Sequence, residues 1–118
     1  METKEAVTAL GALAHESRLS VYRLLVEAGP EGKSAGLIAD QLGLPPATLS
    51  FHLKELSHAG LALSRHEGRY VIYSANFGNA LKLVNFLTEN CCGGQSCLPA
   101  CAPLAEAQAI VEKIDVRR

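Results

Sequence analysis

The sequence predicts a mostly α-helical fold with one small β-hairpin, and three observations carry that prediction. Apolar residues recur at spacings of three and four in successive stretches between residues 4 and 89. Those stretches are separated by helix-stop signals, Gly29-Pro30, Gly43 and Ala59-Gly60. Between residues 61 and 74 the composition turns strand-like on either side of Glu67-Gly68. At 118 residues, with 48% hydrophobic and 19% charged side chains, the chain can fold around a single core and would gain from pairing with a second copy.

The first helix, about 4–14, places Ala6, Val7, Leu10 and Leu13 on one stripe. His15-Glu16-Ser17 interrupts the pattern, and Ser17 is the expected cap of a second helix over 17–28 carrying Leu19, Val21, Leu24 and Leu25. Ser34 caps a third helix with Leu37, Ile38 and Leu42, which Gly43 closes. Pro45-Pro46 opens the fourth, because proline suits a first turn, and Leu49, Leu53 and Leu56 share a face that runs on to His58. Strands at 61–66 and 69–74 form the hairpin, and a fifth helix over 77–89 presents Leu81, Val84, Phe86 and Leu87. Beyond Pro103, the spacing of Leu104, Ala107, Ile110, Val111 and Ile114 predicts a sixth helix. Residues 1–90 are therefore expected to form one folded domain, and residues 91–118 a cysteine-rich loop and a C-terminal helix.

Helices three and four, joined by Gly43-Leu44-Pro45, match a helix-turn-helix, and the hairpin that follows matches a wing. Counted at 100° per residue from Leu49, the face of the fourth helix opposite the core carries Ala47, Phe51, Lys54 and His58, flanked by Thr48 and Ser50. Small and hydroxyl side chains near the start of such a helix permit close approach to base edges. Phe51 could touch thymine methyls or pack beneath the wing. Arg65 and Arg69 flank the wing's turn, within reach of phosphate or the minor groove. The DNA-binding set is thus Ala47, Thr48, Ser50, Phe51, Lys54, Arg65 and Arg69. A mere packing unit with solvated arginines is the alternative, and the agreement of element order, lengths and turn chemistry weighs against it. His52 reads as a partly buried structural residue, and His15, His58 and His66 as isolated ones.

Charge adds little. The formal net charge is -1; residues 1–32 carry three basic and five acidic side chains, and residues 33–75 carry four and three. No apolar run approaches the roughly 18 residues of a membrane span, and the charged start Met1-Glu2-Thr3-Lys4-Glu5 lacks a secretory core. A cytoplasmic location is expected. There thiols stay reduced, and clustered cysteines more often bind metals or react than bridge. All four cysteines, Cys91, Cys92, Cys97 and Cys101, fall within eleven residues. No general base, nucleotide-binding glycine loop or cofactor signature accompanies them, so an enzyme is not expected and no cofactor is required.

The stretches Leu10-Gly11-Ala12-Leu13-Ala14-His15-Glu16-Ser17-Arg18-Leu19, Ile38-Ala39-Asp40-Gln41-Leu42-Gly43-Leu44 and Leu49-Ser50-Phe51-His52-Leu53-Lys54-Glu55-Leu56 resemble the ArsR/SmtB family of winged-helix repressors. Ala59-Gly60-Leu61, Arg65, Gly68, Arg69 and Tyr73 extend the resemblance, which covers about residues 4–90. It implies a homodimer paired through the first and fifth helices, bound to a two-fold symmetric double-stranded operator and released by an inducer. Two of the family's sensing patterns are missing: Ser34–Leu42 holds no cysteine, and residues 77–89 hold no Asp or His.

The cysteine cluster is instead similar to that of an arsenic-responsive subgroup that uses an adjacent pair plus a third thiol. Trivalent arsenic is soft and three-coordinate. Cys91 and Cys92 supply two sulfurs, and the Gly93-Gly94 turn can return Cys97 to the same centre, with Cys101 as spare or fourth ligand. As(III) or Sb(III) is therefore the expected inducer. Tetrahedral zinc on four cysteines, a thiol redox switch and an idle tail stay open as alternatives.

Overall fold

Leu25, Ile38, Leu49, Leu53, Leu56 and Leu61 are fully buried together, and every other element is arranged around them. Each such side chain contributes about 1.5–3 kcal/mol on leaving water, so this cluster dominates the stability of the domain. The structure, a computed structural model, describes residues 1–94. Cys97, Cys101 and the sixth helix expected beyond Pro103 lie outside the described residues.

Helix α1 (Thr3–Leu13) buries Ala6 and Ala9, whose small side chains let it approach α2 and α4 closely. Helix α2 (Glu16–Ala28) inserts Val21 and Leu25 and packs on α4. Its cap is His15, not Ser17. The imidazole Nδ1 accepts the Ser17 backbone N–H at 3.2 Å, so the helix starts one residue earlier than expected. Arg18 Nε donates to the Ala12 carbonyl at 2.7 Å, satisfying the end of α1 with a cation suited to a helix C-terminus.

A strand absent from the sequence expectation follows. Strand β1 (Lys33–Ser34) pairs antiparallel with the hairpin, so the wing belongs to a three-stranded sheet. Helix α3 (Ala35–Leu42) starts at Ser34, whose Oγ accepts the Leu37 N–H, and ends at a left-handed Gly43. Helix α4 (Pro46–His58) has Pro46 in its first turn and buries Leu49, His52, Leu53 and Leu56. Strands β2 (Ala62–Glu67) and β3 (Tyr70–Ala75) pair from Ala62↔Ala75 to Glu67↔Tyr70, so the turn is Gly68-Arg69, one residue beyond the expected Glu67-Gly68. Helix α5 (Phe77–Thr88), capped by Asn76, buries Leu83 and packs on α1. Among the described residues no helix is long and apolar enough to cross a membrane.

Candidate nucleic-acid interface and cysteine segment

The four buried residues of α4 turn the rest of that helix outward. Ala47, Thr48, Ser50, Phe51 and Lys54 are all exposed, on the side away from α2 and α3. Phe51 is 54% exposed, which decides between its two expected placements: it projects outward and does not pack beneath the wing. The helix thus offers small side chains near its start, an aromatic ring in the middle and a cation beyond it.

The wing separates the two arginines that the sequence paired. Arg69 occupies the exposed turn and has no hydrogen bond or ion pair among the described residues. Arg65 is held: its Nη2 donates to the Glu31 carbonyl at 2.6 Å, and its Nε lies 3.6 Å from the Glu67 carboxylate. An open groove of about 800 Å³ lies beside it, between the wing, the loop after α2 and Leu37 of α3.

His52 lies on the inner side of α4, 5% exposed, with its ring 4.9 Å from that of His15. Its buried Nδ1 has no hydrogen-bond partner among the described residues. Burial first, then the charges of His15 and Arg18, hold its pKa below the ordinary histidine value. The unfolded chain therefore takes up this proton at higher pH than the folded one. The stabilisation is complete above about pH 6.5 and drains away as pH falls through the lowered value. Urea midpoints measured between pH 7.5 and 5.5 are expected to fall for the native sequence and to fall less for His52→Gln. Parallel curves for the two proteins would exclude His52 as the source.

Helix α5 is tied to the far end of α4. Asn79 Nδ2 donates to the Gly60 carbonyl at 2.9 Å, and the Asn76 N–H to the Leu61 carbonyl at 2.9 Å. No sequence signal singled out Asn79 or the Glu31 carbonyl; both contacts depend on partners distant along the chain. At its other end α5 stops at Thr88 and leads into a short 3-10 turn over Cys91–Gly94. Asn90, Cys92 and Gly93 all adopt left-handed backbone conformations, so the chain reverses tightly where the adjacent cysteines sit. Cys91 is half-buried and Cys92 is exposed.

Comparison with known proteins covers the helices and the wing. A family model described as a helix-turn-helix domain matches residues 13–65. The uncharacterised HTH-type transcriptional regulator YceK of Bacillus subtilis (strain 168) is 38% identical over 58 residues, covering 49% of this chain and 57% of that protein. The chain thus spans little more than half the length of that curated relative. An ArsR-like transcriptional regulator from Rhodococcus sp. RHA1 superposes with a TM-score of 0.62 at 28% identity, over 71% of this chain and 76% of that one. HlyU from Vibrio cholerae N16961 does so with a TM-score of 0.56 at 32% identity, over 74% of this chain and 97% of that one.

Proposed function

This chain belongs to the ArsR-like winged helix-turn-helix transcriptional regulators, and we propose that it is a dimeric, cytoplasmic repressor released from its operator by trivalent arsenic or antimony. Residues 1–90 bind DNA and dimerise, and residues 91–118 carry the inducer site. Ala47, Thr48, Ser50, Phe51 and Lys54 enter the major groove, and Arg69 meets the backbone or minor groove beyond it. The second copy covers the apolar residues left open on the two neighbouring helices: Val7 and Leu10 on α1, Leu81, Val84 and Leu87 on α5.

The observation that carries the sensing role is the double attachment of α5. One end leads within a few residues to Cys91 and Cys92; the other is hydrogen-bonded to the turn that ends the DNA-reading helix. Cys91, Cys92 and Cys97 ligate the metalloid, with Cys101 as a reserve sulfur. Three thiols and one As(OH)₃ give three As–S bonds and release three waters. Drawing three sulfurs onto one atom pulls the end of α5, and the Asn79–Gly60 bond passes that displacement to α4. Both recognition helices must sit about 34 Å apart to engage successive major grooves, so a small change in dimer geometry weakens binding. A coupling of about 1–3 kcal/mol changes operator affinity 5- to 150-fold.

A duplex selected by this protein from a random-sequence pool provides the test. Reduced native protein is expected to bind it and to dissociate on adding arsenite. Cys92→Ser is expected to bind equally well and to stay bound. Normal release of that variant by arsenite would refute the site. A second reading is a thiol redox switch, since adjacent and nearby thiols can form a disulfide and an oxidised Cys92 could not ligate arsenic. Under that reading oxidation alone changes operator affinity, and arsenite adds nothing under full reduction.

A further inference from the structure

We propose that Arg65 is a positioning residue that clips the wing to the loop after α2, and that it makes no phosphate contact itself. The inference rests on the operator-binding role above. Arg65 stands opposite Ile72 on the hairpin, and Ile72 is also the last residue of β3 that pairs with β1, opposite Ser34. From that rung outward the hairpin has no third strand. Only His66, Glu67, Gly68, Arg69, Tyr70 and Val71 lie beyond it.

A two-stranded ribbon without lateral support is marginally ordered in water. The clip acts at the root of this overhang. Arg65 Nη2 bonds the Glu31 carbonyl, 34 residues away in sequence, and among the described residues no other side-chain hydrogen bond joins the hairpin to that loop. An open groove lies on the other side of the bond, so toward the tip no side chain of the described residues packs between the wing and this loop in its place. Three residues of strand span roughly 10 Å, so a tilt of about 10° at the root moves the tip by about 2 Å. That is enough to break a hydrogen bond to DNA.

The charge pattern agrees. The Glu67 carboxylate, 3.6 Å from Arg65, offsets the guanidinium and would repel an approaching phosphate. Arg69, at the exposed turn, carries no such neighbour among the described residues. The two arginines therefore have different tasks: Arg65 aims the arm, and Arg69 touches the duplex.

Salt dependence separates them. Affinity for the selected duplex is measured across a sodium chloride series for the native protein, Arg65→Ala, Arg65→Gln, Arg69→Ala and the Arg65→Ala/Arg69→Ala pair. Losing a phosphate contact flattens the slope of log K against log[salt] by about 0.9. Arg69→Ala is expected to show that flattening. Arg65→Ala is expected to bind about tenfold more weakly with the same flattening, because the displaced arm takes Arg69 off the phosphate. The double variant is expected to add little in affinity or slope, because the two act through one arm. Arg65→Gln, which keeps a donor without the charge, should retain most of the affinity and the native slope, and it covers the case in which the alanine variant fails to fold. Hydroxyl-radical protection at the outer minor grooves should vanish in Arg65→Ala as it does in Arg69→Ala. A flattened slope in Arg65→Gln, or additive losses of affinity or slope in the double variant, would overturn the assignment. Failure of the native protein to bind any duplex would instead overturn the operator-binding role, and this inference with it.

Discussion

Gly32→Ala is expected to lower the unfolding free energy by about 3 kcal/mol, a large share of the 5–15 kcal/mol typical of a small domain. Gly32 lies between α2 and β1 at φ +73, where an alanine costs about 1–2 kcal/mol through its Cβ alone. Space is the second difficulty. A Cβ at this position runs into the carbonyl oxygen of Tyr73, with the Tyr73 carbonyl carbon at 3.0 Å and Ile72 Cγ2 at 3.1 Å. The obstructing atoms are mostly backbone, so no rotamer change relieves the contact. The loop must move away from β3, and with it the pairs Lys33↔Tyr73 and Ser34↔Ile72. Each ladder hydrogen bond weakened in this way removes about 0.5–1.5 kcal/mol. The displacement also carries the Glu31 carbonyl away from Arg65, so operator affinity should fall even at temperatures where the variant stays folded. Urea denaturation measures the first effect and a binding titration the second. A variant within 1 kcal/mol of the native protein would mean that the loop relaxes without disturbing β1.

The position of Gly32 shows where sequence pattern stops being informative. The helices were legible because each buries a stripe at its own period and ends at a local stop signal. Leu49, Leu53 and Leu56 define the inner face of α4 without reference to anything else in the chain, and the outer face follows by subtraction. Strand β1 was not legible. Two residues cannot display a period of two, and Lys33-Ser34 is a strand only because the edge of β3 lies beside it. The cap of α2 was misplaced for a related reason: an imidazole acceptor at His15 does the work usually given to a hydroxyl. Arg65 and Arg69 look equivalent along the chain, and only the fold brings a carbonyl and a carboxylate to one of them. Likewise, the apolar stripe of α5 predicts a helix but does not divide Leu83, which this chain buries, from Leu81, Val84 and Leu87, which it leaves exposed. As for the cysteines, the described residues place Cys91 and Cys92 on a left-handed reversal directly after α5. The remaining sulfurs of the expected site lie outside those residues.

Gly60→Ala tests the link between that helix and the DNA-reading one, and its expected cost is about 2–3 kcal/mol. Gly60 closes α4 in a left-handed conformation, φ +78, with the Leu61 N–H bonded to the Leu56 carbonyl at 2.9 Å and its own N–H to the Ser57 carbonyl at 3.0 Å. This double bond pattern is the usual solution for a helix end and needs a residue that tolerates positive φ. An added Cβ would lie 2.6 Å from Asn79 Nδ2, the atom that donates to the Gly60 carbonyl. Here the obstruction is the tip of a side chain, unlike the backbone that confronts Gly32, so it can be removed by mutation. Asn79→Ala alone should cost about 0.5–1.5 kcal/mol for the lost hydrogen bond. In Gly60→Ala/Asn79→Ala the clash is gone and only the backbone penalty remains. The double variant should therefore be more stable than the sum of the singles predicts, by about 1 kcal/mol. Asn79→Ala should also keep operator binding while blunting the proposed release by arsenite, because among the described residues only the Asn76–Leu61 bond then ties α5 to the turn. Fully additive losses, together with unimpaired release from Asn79→Ala, would show that the bond is decorative and that the signal reaches α4 by another route.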